Sequence, residues 1–280
     1  MLYQITDWDD AYQNAAHIPQ GDAYPPQWQA RADAFRAGHP AAVIAPTAPE
    51  GDPAAHLPRA DRAGLLFRPA RGAAQGLLVF IHGGYWTRFA PPLWSHLAAG
   101  ALARGWAVLM PGYTLAPQAR LSRMPAQIAP QITHAARHVA GPIVLSGHSA
   151  GGHLAARLIC AGTALPGDVA ARVRRCVPIS GLFDLRPLLR LTLNRDLQLD
   201  PAEAAAESPA LLEPLPGIPV TTWVGGAERP EFLRQSRLLA TIWPGMGAAT
   251  ECVIDPGRHH FDVIEALAYP DTPLTRQLLA

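Results

Sequence analysis

The chain has 280 residues, 49% of them hydrophobic and 16% charged, which excludes a disordered chain and leaves enough length to bury a core without disulfide or metal staples. Its 23 basic and 22 acidic residues give a formal net charge of +1, and no basic run is dense enough to follow a phosphate backbone, so no nucleic-acid partner is expected. Every basic residue is Arg; without Lys, the usual phosphate-loop NTPases, Schiff-base enzymes and a Ser–Lys dyad are excluded.

The first residues, Met1–Asp7, carry no basic stretch followed by an apolar core, so no signal peptide is expected. Tyr24-Pro25-Pro26 precedes an expected helix over Gln27–Ala37, and Pro40, Pro46, Pro49, Pro53 and Pro58 punctuate an Ala-rich loop. Residues 1–60 hold too few large apolar side chains for a core of their own. They read as an N-terminal extension packing on a single domain that spans 1–280. From about residue 64 short apolar runs read as buried strands: Leu65–Phe67, Leu77–Ile81, Ala107–Met110, Ile143–Leu145, Cys176–Ile179, Val220–Val224 and Cys252–Ile254. Helical segments fall at Leu93–Arg104, Ala126–Val139, Gly151–Cys160, Pro230–Trp243, Val263–Leu267 and Leu274–Leu279. This alternation implies an α/β fold: a mostly parallel sheet of about eight strands with helices on both faces. Residues 182–216 exceed a simple crossover and read as a small helical cap over the carboxyl edge of the sheet, where such folds bind ligands. No apolar run reaches membrane-spanning length, so no membrane partner is expected.

The sharpest motif is Gly147-His148-Ser149-Ala150-Gly151, a G-x-S-x-G elbow between an apolar strand and a helical segment. A chain that turns sharply from strand to helix strains the serine backbone. Small residues two places before and after remove the clash, and the hydroxyl then projects above a helix N-terminus. His82-Gly83-Gly84-Tyr85-Trp86 directly follows the strand Leu77–Ile81. A Gly-rich loop there can turn backbone N–H groups towards an oxyanion, beside the N–H of Ala150. A serine needs a base, and the base needs a carboxylate that holds its tautomer. His259 and His260 follow the last strand and either could be the base. Glu228 is the first carboxylate after Val220–Val224, and Glu231 and Asp184 are its competitors.

Other residues invite different readings. Cys160, Cys176 and Cys252 are far apart in apolar runs without metal-ligand spacing. No metal or cofactor is expected, and buried thiols fit a reducing cytoplasm. His134 and His138 stand at the i, i+4 spacing of zinc proteases but lack the Glu after the first His; surface histidines are the expectation. Arg157 could hold a substrate carboxylate or pair with an acid. Trp86, Tyr113 and Phe183 lie at strand ends near the site and are candidates for an aromatic substrate wall, with core packing the alternative.

The sequence resembles the kynurenine formamidase (arylformamidase) branch of the α/β-hydrolases, near the hormone-sensitive-lipase-like esterases. The likeness rests on His82–Trp86, on Gly147–Leu154, on Ser180-Gly181-Leu182-Phe183-Asp184-Leu185, on Glu228-Arg229-Pro230-Glu231-Phe232 with Gln235-Ser236, and on His260-Phe261-Asp262-Val263-Ile264-Glu265. With Asp7-Trp8-Asp9-Asp10-Ala11-Tyr12 it spans nearly the whole chain. The resemblance implies an α/β-hydrolase fold with Ser149 as nucleophile, Glu228 as acid and His260, the histidine before Phe, as base. It assigns the oxyanion donors to Gly84, Tyr85 and Ala150, supported by His82, Gly83, Trp86, Gly147 and Gly151. One departure is the acid, Glu where many relatives have Asp, which changes its reach by one methylene. The expected activity is hydrolysis of a small ester or N-formyl aryl amide. The alternatives are a broad short-chain carboxylesterase or thioesterase and, more distantly, a non-catalytic ligand-binding homologue. The expected partner is a small molecule, and homo-oligomerisation stays open.

Overall fold

The computed structural model describes residues 4–46 and 62–280. Met1–Tyr3 and, from the expected loop, Pro49, Pro53 and Pro58 lie outside the described residues. The apolar runs form strands because alternate side chains find cover on opposite faces. Strands β1 (Ala42–Ile44), β2 (Gly64–Phe67), β3 (Leu77–Ile81), β4 (Ala107–Met110), β5 (Ile143–His148), β6 (Val173–Ile179), β7 (Val220–Gly225) and β8 (Thr250–Asp255) form one sheet. Its order is β1-β2-β4-β3-β5-β6-β7-β8. The pairs β1–β2 and β2–β4 are antiparallel, and every other pair is parallel.

Two apolar layers sandwich the sheet. Leu77, Val79 and Ile81 of β3 enter one core cluster, and Leu78 and Phe80 enter the other. The helices are α1 (Trp8–Tyr12), α2 (Tyr24–Gly38), α3 (Ala99–Ala103), α4 (Met124–His138), α5 (Ala150–Arg157), α6 (Gly167–Ala170), α7 (Asn194–Leu197), α8 (Pro201–Ala206), α9 (Pro230–Ile242) and α10 (Pro273–Leu279). The first layer takes Ile128 and Ile132 of α4, Leu154 of α5, and Phe232 and Leu239 of α9. The second takes Trp28 of α2, Ala101 of α3, and Leu274 and Leu278 of α10. No helix among the described residues is long and apolar enough to cross a membrane.

Strand β1 was not expected. It lies within the Ala-rich, proline-punctuated stretch, and only Ile44 of its three residues is buried. A short edge strand with one covered side chain has no periodicity to read. Between β6 and β7, residues 182–216 form 3-10 turns at Arg186–Arg190 and Pro209–Leu211 around α7 and α8. Polar contacts tie this segment down. Arg157 pairs with Glu207 at 3.0 Å, which settles Arg157 as a partner of an acid. Gln235 Oε1 accepts the N–H groups of Phe183 and Asp184, each at 2.8 Å.

Candidate active site

The elbow sits where β5 meets α5. Ser149 has φ 55° and ψ −117°, a conformation that costs a side-chain-bearing residue on the order of 1–3 kcal/mol and persists only where its surroundings enforce it. They enforce it here by backbone contact. A Cβ on Gly151 would lie 1.9 Å from the Ile81 carbonyl oxygen, and one on Gly147 would lie 2.3 Å from that of Gly151. The end of β3 is thus wedged into the elbow, and only glycine fits. The Ser149 N–H donates to the Ile179 carbonyl at 2.8 Å. Ala150 is the first residue of α5, so its N–H has no acceptor within the helix.

The loop after β3 touches the elbow from the other side. A Cβ on Gly83 would come within 3.1 Å of Ser149 Cβ. Gly84, Tyr85 and Trp86 follow at φ 113°, 49° and 57°. A run of left-handed residues curls the chain, and the Gly84 carbonyl closes the curl by accepting from Thr87 and Arg88, each at 3.0 Å. Among the described residues the N–H groups of Gly84 and Tyr85 donate to no protein acceptor. His82 anchors the loop: its Nδ1–H donates to the Gly83 carbonyl at 2.8 Å, and its ring stacks on Tyr113 at 4.5 Å. Burial lowers the His82 imidazole to about 4, so it is neutral near pH 7.

The three candidate carboxylates differ in what each one faces. Glu228 Oε2 accepts from His260 Nδ1 at 2.6 Å, and both side chains are sealed from solvent. Glu228 Oε1 accepts from Ser180 Oγ at 2.5 Å and from the Gly225 N–H at 2.8 Å. The longer Glu side chain reaches His260 while resting on both donors. Glu231 points away, pairing with Arg234 at 2.8 Å and accepting the Tyr12 hydroxyl at 2.8 Å. Asp184 is occupied by Arg186, whose guanidinium and N–H both donate to it. The His260 ring is held between His148, with ring centres 4.5 Å apart, and Phe232, 4.4 Å away.

His259 has a separate place. Its Nδ1 accepts from the N–H groups of Phe261 and Asp262, each at 3.2 Å, so its Nε2–H donates to Tyr24 Oη at 3.0 Å. His134 and His138 are both exposed on α4.

The expected aromatic wall is not there. Trp86 and Phe183 are 0% exposed and Tyr113 is 1% exposed, and all three belong to the apolar core. Trp86 meets the His153 ring edge to face, and Phe183 lies over Gly181, where a Cβ would come within 2.5 Å of the ring. Their position at strand ends is right, but all three rings turn inward, Trp86 from a left-handed backbone, and each buries a large apolar area. Three supports were missed. Ser180, at φ 51°, carries Glu228. Tyr12 accepts through its carbonyl from the Tyr85 hydroxyl. Gln235 bridges α9 to the Phe183 backbone. All three stood within the family-like motifs, the one signal available for them.

Residues 78–279 match the alpha/beta hydrolase family. Kynurenine formamidase of Danio rerio is 28% identical over 211 residues, which cover 72% of this chain and 71% of that protein. A structure from Silicibacter sp. TM1040, provisionally described as a thioesterase, is 45% identical with a TM-score of 0.88 and covers 98% of this chain and 99% of its own. An esterase of Pyrobaculum calidifontis shares the fold at 20% identity and a TM-score of 0.63, covering 94% of this chain and 91% of its own. The family match runs from β3 to α10 and takes in the elbow, the Glu228 turn and the loop of His259 and His260; the chain belongs to the alpha/beta hydrolase family.

Proposed function

We propose that this chain is a serine hydrolase that cleaves small esters or N-formyl aryl amides, with Ser149, His260 and Glu228 as its triad. The observation that carries the reading is the sealed 2.6 Å bond from His260 to Glu228, set beside a serine at φ 55°. In this reading Glu228 holds the proton on His260 Nδ1 and leaves Nε2 free to take the Ser149 proton as the hydroxyl attacks the acyl carbon. Negative charge then develops on the acyl oxygen, and the N–H groups of Ala150, Gly84 and Tyr85 stabilise it. His260 returns its proton to the leaving group, and water attacks the acyl-enzyme by the same route. The similarity to kynurenine formamidases over 72% of the chain supports a formyl or other small acyl group and an aryl amine leaving group.

A broad short-chain esterase or thioesterase is the second reading, favoured by the likeness to the Silicibacter protein across 98% of the chain. Rates on N-formylkynurenine, aryl acetates, butyrates and hexanoates, and acyl thioesters separate the two. The formamidase reading predicts a steady fall in kcat/KM with acyl length, each misfit methylene costing about 1–3 kcal/mol, or roughly 10–200-fold. A butyryl or hexanoyl optimum without formamide cleavage favours the second reading. Ser149→Ala should lower kcat on the order of 10⁴–10⁶-fold; retention of a tenth of the activity would overturn both. The free thiols of Cys160, Cys176 and Cys252 are compatible with a reducing cytoplasm, where we place the protein.

A further inference from the structure

The left-handed run after β3 is held unevenly. Gly84 has φ 113°, Tyr85 49° and Trp86 57°, and a residue with a side chain persists in that region only where its surroundings fix it. The Gly84 carbonyl accepts from Thr87 and Arg88, each at 3.0 Å, and the Trp86 carbonyl accepts from the Ala116 N–H at 2.8 Å. The Trp86 ring is fully buried as well. Tyr85 sits between them, and among the described residues neither its N–H nor its carbonyl is bonded to protein. Its hold comes from the side chain instead: the hydroxyl donates to the Tyr12 carbonyl, 73 positions away.

Helix α1 makes that carbonyl a fixed point. The helix ends at Tyr12, so no later N–H of the helix reaches the carbonyl. Tyr12 is 1% exposed; its hydroxyl donates to Glu231 Oε2 at 2.8 Å and accepts from Gln235 Nε2 at 3.4 Å. Glu231 is held in turn by Arg234 at 2.8 Å. Two residues before Tyr12, the Asp10 carbonyl accepts from Arg229 Nε at 3.2 Å, and the Asp10 carboxylate pairs with the same guanidinium. Asp9 accepts from the N–H and the hydroxyl of Thr192 at 2.7 and 2.6 Å. Helix α1 is thus fastened to α9, to the loop after β7 and to the segment 182–216, although it lies outside the residues 78–279 that match the family.

Building on the serine-hydrolase reading above, we propose that the Tyr85 hydroxyl is a positioning group for the oxyanion donors, with α1 as its anchor. An oxyanion donor must keep its N–H clear of protein acceptors, so the peptide that carries it cannot be fixed through that N–H. Tyr85 divides the two tasks. Its main-chain N–H stays open for the acyl oxygen, and its side chain holds φ at 49° by gripping the Tyr12 carbonyl. Without the hydroxyl, the residue relaxes towards the negative φ that a bulky side chain prefers, and the N–H groups of Gly84 and Tyr85 turn away from the acyl oxygen. The loss falls on the transition state, where that oxygen carries its charge.

The test is Tyr85→Phe, which removes one oxygen and keeps the ring. Fluorophosphonate labelling of Ser149, carried to completion, counts the intact sites, and kcat/KM for phenyl acetate is read per labelled site. It should fall roughly 5–50-fold, from about the worth of one neutral hydrogen bond towards, but short of, the roughly 10²–10³-fold lost with a whole oxyanion donor. Two ketone inhibitors read the cause. Trifluoroacetophenone adds to Ser149: the Oγ–C bond forms, the carbonyl π pair moves onto oxygen, and the hydroxyl proton passes to His260, which leaves an oxyanion facing the loop. Acetophenone lacks the fluorines that drive addition and binds as the intact ketone. Tyr85→Phe should raise the Ki for trifluoroacetophenone by the factor by which kcat/KM falls and leave the Ki for acetophenone unchanged. An unchanged rate, a slower rate with an unchanged Ki ratio, or equal rises for both ketones overturns the assignment and leaves the bond a brace for α1. An unlabelled wild-type chain overturns the serine reading itself, whereas a labelled variant with an unchanged Ki ratio overturns the Tyr85 assignment alone.

Discussion

Replacing Glu228 by Gln removes one charge and almost no volume, and the surroundings of the carboxylate set the consequence. Three donors converge on it: Ser180 Oγ and the Gly225 N–H on one oxygen, and His260 Nδ1 on the other. A Gln has one acceptor oxygen to place. Facing Ser180 and Gly225, it keeps two bonds and turns its NH₂ towards His260 Nδ1. Turned round, it keeps one bond and sets the NH₂ against two donors. The first orientation wins, because a buried conflict between donors costs about 1–3 kcal/mol for each unsatisfied group. His260 is then driven into the tautomer with its proton on Nε2, which cannot accept one from Ser149. An equivalent change in serine proteases lowers kcat about 10⁴-fold, which corresponds to about 5.5 kcal/mol in the barrier. We expect a fall of roughly 10³–10⁴-fold in kcat for phenyl acetate hydrolysis, with KM little changed because no substrate contact is lost. Glu228→Asp should also be impaired, since a side chain shorter by about 1.5 Å cannot hold all three donors. The reasoning fails if Glu228→Gln keeps more than a tenth of wild-type kcat, or if Glu231→Gln or Asp184→Asn shows the loss instead.

Three further outcomes follow from the same geometry. His260→Ala should approach Ser149→Ala in its effect on kcat, whereas His259→Ala, which releases Tyr24, should lower thermal stability more than turnover; equal kinetic losses in the two histidine variants would contradict their separate placements. Trp86→Ala should destabilise the fold by about 3–5 kcal/mol, the usual cost of emptying a buried aromatic site, and should scale rates on acetyl and butyryl esters alike; a flattened acyl series with unchanged stability would restore Trp86 as a substrate wall. Burial holds His82 and His153 near 4 in the folded chain, so below about pH 6.5 the unfolded chain binds protons that the folded chain refuses. Their penalty is absent above that pH and grows as pH falls towards 4, reaching about 3 kcal/mol for each histidine; a urea midpoint that does not fall between about pH 7.5 and 4.5 would show that these rings are not held neutral by burial.

Whatever depends on neighbours along the chain could be read from the sequence. The strands from Leu77 to Val224 were visible because strands covered on both faces of a sheet are continuous apolar runs. The elbow was visible because its steric demand falls on Gly147 and Gly151, two places either side of Ser149. The family-like motifs singled out Glu228 and His260 before their contact was seen. Tertiary structure decided matters that depend on which surfaces meet. Glu228 and His260 are 32 positions apart, and Tyr12 and Glu231 are 219 apart, so only the packing of β7, β8, α1 and α9 shows why one carboxylate faces the imidazole and the other faces Arg234. The inward turn of Trp86 follows from a left-handed backbone that no local propensity favours for a large side chain. Asp10, Tyr12 and Tyr24 lie in a stretch with almost no periodicity and are held by hydrogen bonds to loops more than 70 positions away. Such bonds are short-ranged in space and carry no period in sequence, so their partners emerge only when the sheet brings the loops together.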